Sequence, residues 1–307
     1  MSRALVVVNP AAGGGRTERA WPKVREALWR TGLDFECATT VAAGDAIGVA
    51  RDAVRAGHQL VVAVGGDGTL NEVVNGATGA DGRPLATIGA VLTGRGRDAC
   101  RNFGVPHRLA DAATALVGGH DAVFDLGLAA WADGRRRYFL GAAGAGFDAA
   151  VAARAASVRA RGTLPYLVAV LATVRAWRAV AATVDADGAA AWRAPLTAAV
   201  VANGRYFGGG MKIAPDADAR DGRLDLVILG GLGRLEMIRW LPTIYSGRHL
   251  AHPRVATRRA SCVVIDGPTP LPTELDGELA AASPVTMSVA AGALRLRVPA
   301  GTGRARG

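Results

Sequence analysis

Apolar and polar positions follow two rhythms along the first 126 residues of the chain. Four short apolar runs predict strands: ALVVVN (4–9), DFECATT (34–40), LVVAV (60–64) and PLATIGAVL (84–92). Between them, the stretch after Thr17 and the segment 44–56 repeat apolar residues at helical spacing. This alternation predicts a doubly wound α/β domain over residues 1–126, with ligands bound at the carboxyl ends of its strands.

After Asp125 the pattern changes to short apolar runs separated by Gly, Asp and Asn turns. The runs that predict strands are RRYFLGAAG, RAVAATVDAD, LTAAVVANG, RLDLVILG, SCVVIDG, PVTMSV and ALRLRV. Two helical stretches, at about 147–179 and 234–246, interrupt them. We therefore predict a β-rich, antiparallel, sandwich-like domain over residues 127–292. The last run, near 293–298, is compatible with a return to the first domain, and residues 300–307 are predicted to be a disordered tail.

The stretch VVAVGGDGTLNEVVNG (61–76) predicts a strand, a glycine turn and a helix that Thr69 is placed to cap. Gly65, Gly66 and Gly68 carry no Cβ, so backbone N–H groups there can close on a small anion such as phosphate. A tight turn without any ligand is the alternative interpretation. We favour a bound ligand, because a tight turn alone would not explain why a carboxylate, Asp67, is held among three glycines.

Three other segments carry candidate chemistry. NPAAGGGR (9–16) follows the first strand and is a second candidate phosphate loop, although it lacks the Gly-Lys-Ser/Thr ending of a P-loop. The segment 203–225 contains aspartates at 216, 218, 221 and 225 in a turn-rich stretch, which could hold Mg²⁺ or form a solvated acidic loop. ELDGEL (274–279) offers Asp276 and Glu278 as proton acceptors, but an ordinary hairpin turn is the favoured interpretation there.

Charge and composition narrow the class of partner. The 307 residues carry a net charge of +10, almost all of it from arginine, which favours nucleotides, nucleic acid or an anionic membrane surface. A GC-rich genome would also produce many of these arginines. No nucleic-acid recognition motif or aromatic platform is present, so we predict no nucleic-acid partner. The three cysteines, Cys37, Cys100 and Cys262, form neither a disulfide framework nor a zinc motif, as expected of a cytoplasmic protein.

The most apolar run, LPYLVAVLATV (164–174), is too short to span a bilayer. We therefore predict a soluble protein that can rest peripherally on the inner face of the membrane. Arginines flank this run at positions 154, 159, 161, 175 and 178. The helix could contact anionic lipid, or it could pack between domains with a solvated rim.

Taken together, these motifs resemble the catalytic family of diacylglycerol kinases, the bacterial soluble lipid kinases that are related to sphingosine kinases. The resemblance runs over nearly the whole chain. Its blocks appear in the family's order: GGDGTLNEVVNG, DLG (125–127), GAGFDA (144–149), GGGMKIAPDA, DGRLD and DGE. GGDGT also resembles the motif of NAD kinases and phosphofructokinases, whereas the later blocks distinguish lipid kinases from them. The resemblance implies an NAD-kinase-like or diacylglycerol-kinase-like fold, ATP and Mg²⁺, and a lipid hydroxyl as acceptor, with diacylglycerol first.

The resemblance also implies roles for individual residues. The residues that would line the ATP site are Asn9, Thr40, Gly65, Gly66, Asp67, Gly68, Thr69 and Asn71. Asp67 would act through Mg²⁺ or orient the nucleotide, and Glu278 would accept the proton of the lipid hydroxyl. A structural Mg²⁺ would be held by the side chain of Asp221 and by the carbonyls of Asp218 and Arg223.

One segment departs from the family's pattern. GRGRDACR (94–101) stands where the family has GTGND-F-A-R, so Arg95 replaces a threonine that would touch the nucleotide and Arg97 replaces the asparagine. Two extra guanidinium groups could strengthen triphosphate binding or select another donor. The alternatives are therefore a kinase of another acceptor (a sphingoid base, another glycerolipid or a NAD-like molecule) and a weakly catalytic regulator that binds nucleotide or lipid. The sequence is also compatible with a homodimer.

Overall fold

The computed structural model describes residues 3–94, 96–157 and 163–301, with the side chains of residues 163–167 excepted. Arg95, Arg159, Arg161 and the tail from residue 302 onward lie outside the described residues, together with the predictions that rest on them. The described residues divide into two compact units. The first contains the residues up to Leu126 and those from Ala290 onward, and the second is Gly127–Val289.

The first part of the chain alternates strands and helices. In chain order they are β1 (Ala4–Val8), α1 (Ala12–Arg30), β2 (Phe35–Thr39), α2 (Asp45–Arg55), β3 (Leu60–Gly65), α3 (Asp67–Ala77), β4 (Thr87–Leu92), α4 (Asp98–Phe103), α5 (Leu109–Gly118) and β5 (His120–Trp131). Three glycines at the start of α1 are left-handed, and the regular helix follows them.

The rest of the chain is dominated by strands. In chain order it forms β6 (Arg136–Phe139), β7 (Ala142–Gly146), α6 (Phe147–Ser157), α7 (Thr163–Ala176), β8 (Val180–Ala186), β9 (Ala189–Ala202), β10 (Leu224–Gly230), α8 (Arg234–Trp240), β11 (Val255–Ala260), β12 (Cys262–Asp266), β13 (Thr273–Leu275), β14 (Glu278–Ala280) and β15 (Val285–Val298). Two short 3₁₀ helices, Leu241–Ser246 and Arg248–Ala251, follow α8.

The sheet of the first unit is parallel. Its strand order is β2, β1, β3 and β4, and β15 adds in parallel beyond β4, where Leu296 pairs with Ile88. Strands β3 and β4 are buried along their whole length, because helices cover both faces of a parallel sheet. The carboxyl ends of these strands lie at one edge of the sheet.

The sheet of the second unit is antiparallel. Its order is β14, β13, β7, β9, β8 and β12, while β10 pairs with β9 and with β11. The long strand β9 pairs with β8 along its first part and with β7 and β10 along its second. The core of the second unit is built mainly from Val, Leu, Ile and Ala side chains. The predicted fold class, an α/β unit and a β-rich antiparallel unit, is therefore confirmed.

The structure refines two local predictions. Thr69 does not cap the helix: α3 begins at Asp67 after an extended Gly66, and Thr69 is a buried residue of its first turn. The helical stretch 234–246 ends as an α-helix at Trp240 and continues as a 3₁₀ helix, since Pro242 cannot donate an α-helical hydrogen bond. Among the described residues, no helix is long and apolar enough to cross a membrane.

Candidate active site

The loop after β4 packs against the glycine turn that follows β3. Thr93 N and Gly94 N donate to the carbonyl oxygen of Gly65 at 2.8 and 3.2 Å. A Cβ added to Gly65 would lie 2.4 Å from Thr69 Oγ1, and one added to Gly94 would lie 2.9 Å from the Cα of Gly66. Contact with the Thr69 side chain therefore requires glycine at 65 and contact with the Gly66 backbone requires it at 94, and both glycines leave this edge of the sheet without side-chain bulk.

Asp67 anchors the backbone of the neighbouring loop. Its Oδ2 accepts a hydrogen bond from Arg97 N at 2.8 Å, and its Oδ1 accepts one from Ala99 N at 3.1 Å. Gly96 lies so close that a Cβ there would be 2.7 Å from Asp67 Oδ2. The carboxylate among three glycines thus has a structural task, holding residues 97–99 at the start of α4. Its catalytic role stays a prediction.

Side chains from different strand ends meet beside this turn. Asn9 Nδ2, at the end of β1, donates to Thr69 Oγ1 at 3.0 Å, and Asn9 N donates to the carbonyl of Val64 at 3.0 Å. Thr40, at the end of β2, is buried, and its backbone N–H bonds to the carbonyl of Val8. The predicted residues Asn9, Thr40 and Thr69 are therefore brought to one edge of the sheet of the first unit.

Two predicted or neighbouring residues of α3 point into the protein. Asn71 is buried, and Asn75 Nδ2 donates to its side-chain oxygen at 3.1 Å. Glu72, which sequence reasoning missed, is also buried, and its two oxygens accept hydrogen bonds from Gly44 N and Ala46 N at 3.0 and 3.2 Å. The available signal was an acidic residue among the apolar positions Leu70, Val73 and Val74, which are all buried. Glu72 holds the start of α2 as Asp67 holds the start of α4.

Two further features lie at this edge. Gly13, Gly14 and Gly15 all have left-handed φ angles between 62 and 79°, and Gly14 N and Gly15 N donate to the carbonyl oxygen of Ala11 at 3.1 and 3.2 Å, so the glycines close a backbone turn before the regular helix begins. Arg97 has a left-handed φ of 56°, and its Nε atom is buried with no hydrogen-bond partner among the described residues. A buried guanidinium N–H without a partner is available to a ligand.

In the second unit, the DGE motif forms the turn between β13 and β14, so the predicted hairpin is confirmed. Asp276 and Gly277 have left-handed φ angles of 49 and 86°, as a two-residue hairpin turn requires. The Asp276 carboxylate accepts hydrogen bonds from Leu140 N, Gly141 N and Ala142 N at 2.7, 2.8 and 3.1 Å. Asp276 therefore ties the turn to the start of β7.

Glu278 is the carboxylate of this turn that reaches solvent. Its side chain is 44% exposed, and Arg137 Nη2 donates to its Oε2 at 2.5 Å. The ion pair fixes the direction of the carboxylate while leaving its other oxygen for a substrate. Sequence reasoning identified Glu278 but missed Arg137, because the two residues are 141 positions apart.

The segment 203–225 forms two tight turns. Phe207 and Met211 exchange backbone hydrogen bonds of 3.0 and 2.9 Å across Gly208, Gly209 and Gly210, all of which have left-handed φ angles. The consecutive glycines of the GGGMKIAPDA block therefore close a loop that residues with side chains rarely form.

The predicted metal ligands lie together in the second turn. Asp221 N donates to the Asp218 carbonyl at 3.3 Å, and Asp221 Oδ1 accepts from Arg223 N at 2.9 Å. However, the Asp221 carboxylate also forms an ion pair with Arg259. Among the described residues, no group of three or more His, Cys, Asp or Glu side chains is arranged to hold a metal. The turn in this arrangement does not fit a cation, and the magnesium site stays a prediction.

The fold and these motifs define the class of protein. An α/β unit with a glycine-lined strand edge and an antiparallel β unit with a carboxylate turn are the parts of a kinase of the diacylglycerol kinase type. Residues 3–129 match the sequence profile of the diacylglycerol kinase catalytic domain, and residues 141–298 match that of the YegS C-terminal NAD kinase beta sandwich-like domain. The chain belongs to the diacylglycerol kinase family.

Individual relatives agree with this assignment. A diacylglycerol kinase of Mycobacterium tuberculosis is 31% identical, over 97% of this chain and 96% of the relative. A diacylglycerol kinase of Bacillus subtilis is 28% identical, over 91% and 90% of the two chains. The crystal structure of a diacylglycerol kinase from Bacillus anthracis has the same fold, with a TM-score of 0.71 at 20% identity over 97% of both chains. The family and its named relatives support kinase activity.

Proposed function

We propose that this protein transfers the γ-phosphoryl group of ATP to a lipid hydroxyl, with diacylglycerol as the acceptor and phosphatidic acid as the product. The observation that carries the proposal is the turn that presents Glu278, half-exposed and directed by Arg137. The names of the relatives with 28–31% identity support the choice of acceptor.

The edge of the sheet in the first unit is the proposed nucleotide site. Phosphoryl transfer requires charge stabilisation and positioning more than covalent chemistry from the protein. The buried Nε of Arg97, which has no hydrogen-bond partner among the described residues, can donate a hydrogen bond to a phosphate oxygen. Asp67 would support this site by holding the backbone of residues 97–99 in place.

Glu278 is the proposed base. Its carboxylate would take the proton of the lipid hydroxyl while the hydroxyl oxygen forms the new bond to the γ-phosphorus. The bond from that phosphorus to the β–γ bridging oxygen breaks, and ADP leaves with the electron pair. A positioned carboxylate contributes roughly 10²–10⁴-fold to such a step.

A membrane surface is the proposed place of reaction. On the neighbouring helices α7 and α8, Leu235 is 83% exposed, and Val168, Leu171 and Ile238 are at least half-exposed. Exposed arginines accompany them at 175, 178, 234 and 239. Apolar side chains with a rim of arginine suit the interface of an anionic bilayer.

The test is transfer of labelled phosphate from ATP to diacylglycerol in mixed micelles, with and without Mg²⁺. Labelled phosphatidic acid should form, and Glu278→Gln should lower the rate roughly 10²–10⁴-fold with little change in ATP affinity. Mg²⁺ is varied because its predicted requirement depends on the resemblance alone.

Asp185→Asn is the matched control. Asp185 forms a similarly exposed ion pair with Arg193 in the same unit, so this variant also breaks a surface ion pair but should keep full activity. Full activity of Glu278→Gln would remove Glu278 from the mechanism. Product with a sphingoid base or another alcohol, but not with diacylglycerol, would replace the acceptor and keep the reaction class.

A further inference from the structure

Two carboxyl groups meet under the hairpin that carries Glu278. Glu274 of β13 lies directly opposite Gly144 of β7 in the antiparallel ladder, so both face the same side of the sheet. A Cβ added to Gly144 would lie 1.5 Å from Asp148 Oδ2. The Asp148 carboxyl, at the start of α6, thus occupies the space of the missing side chain and is the cross-strand neighbour of Glu274.

Three of the four carboxyl oxygens of this pair have no hydrogen-bond partner among the described residues. Both oxygens of Asp148 and Oε1 of Glu274 are buried, with no well-formed hydrogen bond to any described residue. Burial raises the pKa of Asp148 to about 6, and the N–H groups of Ala149 and Asp148 offset only part of this shift. Burial, and then the charge of Asp148, hold the pKa of Glu274 well above its usual range.

Among the described residues, no cation forms an ion pair with either carboxyl group of this pair. The charged residues on the elements packed around it are Arg154 of α6, Arg175 of α7, Arg193 of β9, Asp276 of the hairpin turn and Glu278 of β14. The negative charge of Asp276 raises the pKa of Glu274 further, whereas Arg193 is paired with Asp185. Ionising both of two adjacent buried carboxyl groups has a high free-energy cost, because their like charges repel each other without solvent screening.

The pair is connected to the proposed base through the backbone. Glu274 Oε2 accepts a hydrogen bond from Gly277 N at 2.5 Å, within the turn that precedes Glu278. Glu278 itself lies opposite Leu275, on the other face of the hairpin, so the pair cannot act on it directly. A change in the position of Glu274 moves the turn, and the turn moves Glu278.

We propose that Asp148 and Glu274 share one proton, and that this protonated pair is a positioning device that holds the Asp276–Gly277 turn and thereby Glu278. Its positioning role rests on the function proposed above. The shared proton lets one carboxyl donate to the other, leaving Glu274 Oε2 to accept from Gly277 N. Loss of that proton places two negative charges side by side under the turn.

The sign of the resulting pH dependence follows from linkage. The folded protein binds this proton more tightly than the unfolded chain, so the pair contributes stability at low pH that is lost as pH rises through the folded-state pKa. The first measurement is therefore the thermal unfolding temperature between pH 5 and 8 for the wild type and Asp148→Asn. An amide at 148 stays neutral and can donate to Glu274 at every pH.

We expect Asp148→Asn to unfold at nearly the wild-type temperature at pH 5 and several degrees higher at pH 8. Asp111→Asn is the matched control, because Asp111 also lies in the first turn of a helix but is exposed. Its profile should run parallel to the wild type. Parallel profiles for Asp148→Asn, or a loss of stability at both pH values, would overturn the shared proton.

Three further measurements separate the alternatives. The kcat/KM of the wild type should fall at alkaline pH, and this fall should move to higher pH in Asp148→Asn. Asp148→Ala should lower kcat while the KM for ATP stays constant. Unchanged pH profiles would overturn the positioning role. A rise in wild-type unfolding temperature with Mg²⁺ at pH 8, absent in Asp148→Asn, would show a cation site instead. The unfolding measurements need no activity, so they stand even if no acceptor is phosphorylated.

Discussion

Asp67 shows how one side chain can answer to both structure and chemistry. Its two oxygens accept hydrogen bonds from the backbone of residues 97 and 99, so the carboxylate builds the loop on which the proposed phosphate contacts depend. A negative charge at this position is compatible with the anion proposed nearby only because backbone N–H groups already stabilise it. Loss of Asp67 would therefore disrupt the conformation of this loop first, and any effect on a chemical step would follow from that.

Asp67→Asn tests this interpretation. The new amide places an NH₂ group against one of the two backbone donors, which costs about 1–3 kcal/mol if the donor is left unsatisfied. We expect a lower unfolding temperature together with weaker ATP binding, measured by calorimetry on the same sample. Asp111→Asn removes the same charge from an exposed first turn and should change neither. Normal stability with abolished turnover would instead make Asp67 a purely catalytic residue.

Helices α2 and α3 pack at a distance that only glycine permits. A Cβ on Gly76 of α3 would lie 2.3 Å from the carbonyl oxygen of Ile47 and 2.8 Å from the Cβ of Ala50, both in α2. The close contact fixes α3, and α3 carries Asp67, Thr69 and Glu72 toward the loops of the first unit. The geometry of the proposed nucleotide site thus depends on a helix contact at Gly76, nine residues along the chain from Asp67.

A pair of alanine substitutions separates helix propensity from helix packing. Gly76→Ala should lower the unfolding temperature, because a backbone oxygen must move; overpacking of this kind costs about 1–3 kcal/mol. Gly48→Ala in α2, where a Cβ meets nothing within 4 Å, should stabilise the protein by up to about 1 kcal/mol. Equal effects of the two substitutions on thermal unfolding would contradict the packing argument.

The surface of α7 and α8 that is proposed to contact a membrane can be tested on the whole protein. We expect the double substitution Leu235→Glu and Ile238→Glu to lower binding to vesicles that contain phosphatidylglycerol at least about tenfold. The reason is that two exposed apolar side chains of this surface are replaced by negative charges. Cosedimentation measures the binding, and ATP affinity should stay constant. Leu85→Glu alters a leucine of the first unit that is 51% exposed, as Ile238 is, and is the control. Equal binding of all three proteins would exclude this surface.

The fold class could be predicted from the sequence because its signals are local. Val61–Val64 is apolar on both faces, and the runs after Asp125 are short and separated by turns. Each stretch therefore predicts its own secondary-structure element from local sequence. Glu278 could be found in the same way, since Asp-Gly marks its hairpin within four residues.

The contacts that build the candidate site could not be predicted in this way. Asp67 bonds to a backbone 30 residues away, and Glu278 pairs with an arginine 141 residues away. Asp148 meets Glu274 only because Gly144 has no side chain, a fact that requires the strand register. Long-range pairing of this kind is set by topology, and one sequence alone does not encode it in any readable pattern.

The path of β15 has a consequence for synthesis. This strand begins among the residues of the second unit and ends beside β4 in the first, where Leu296 pairs with Ile88. The sheet of the first unit therefore lacks a strand until almost the entire chain has left the ribosome. Folding from the amino terminus onward must pause with one edge of β4 uncovered, so we expect a nascent chain arrested near residue 126 to depend on a chaperone.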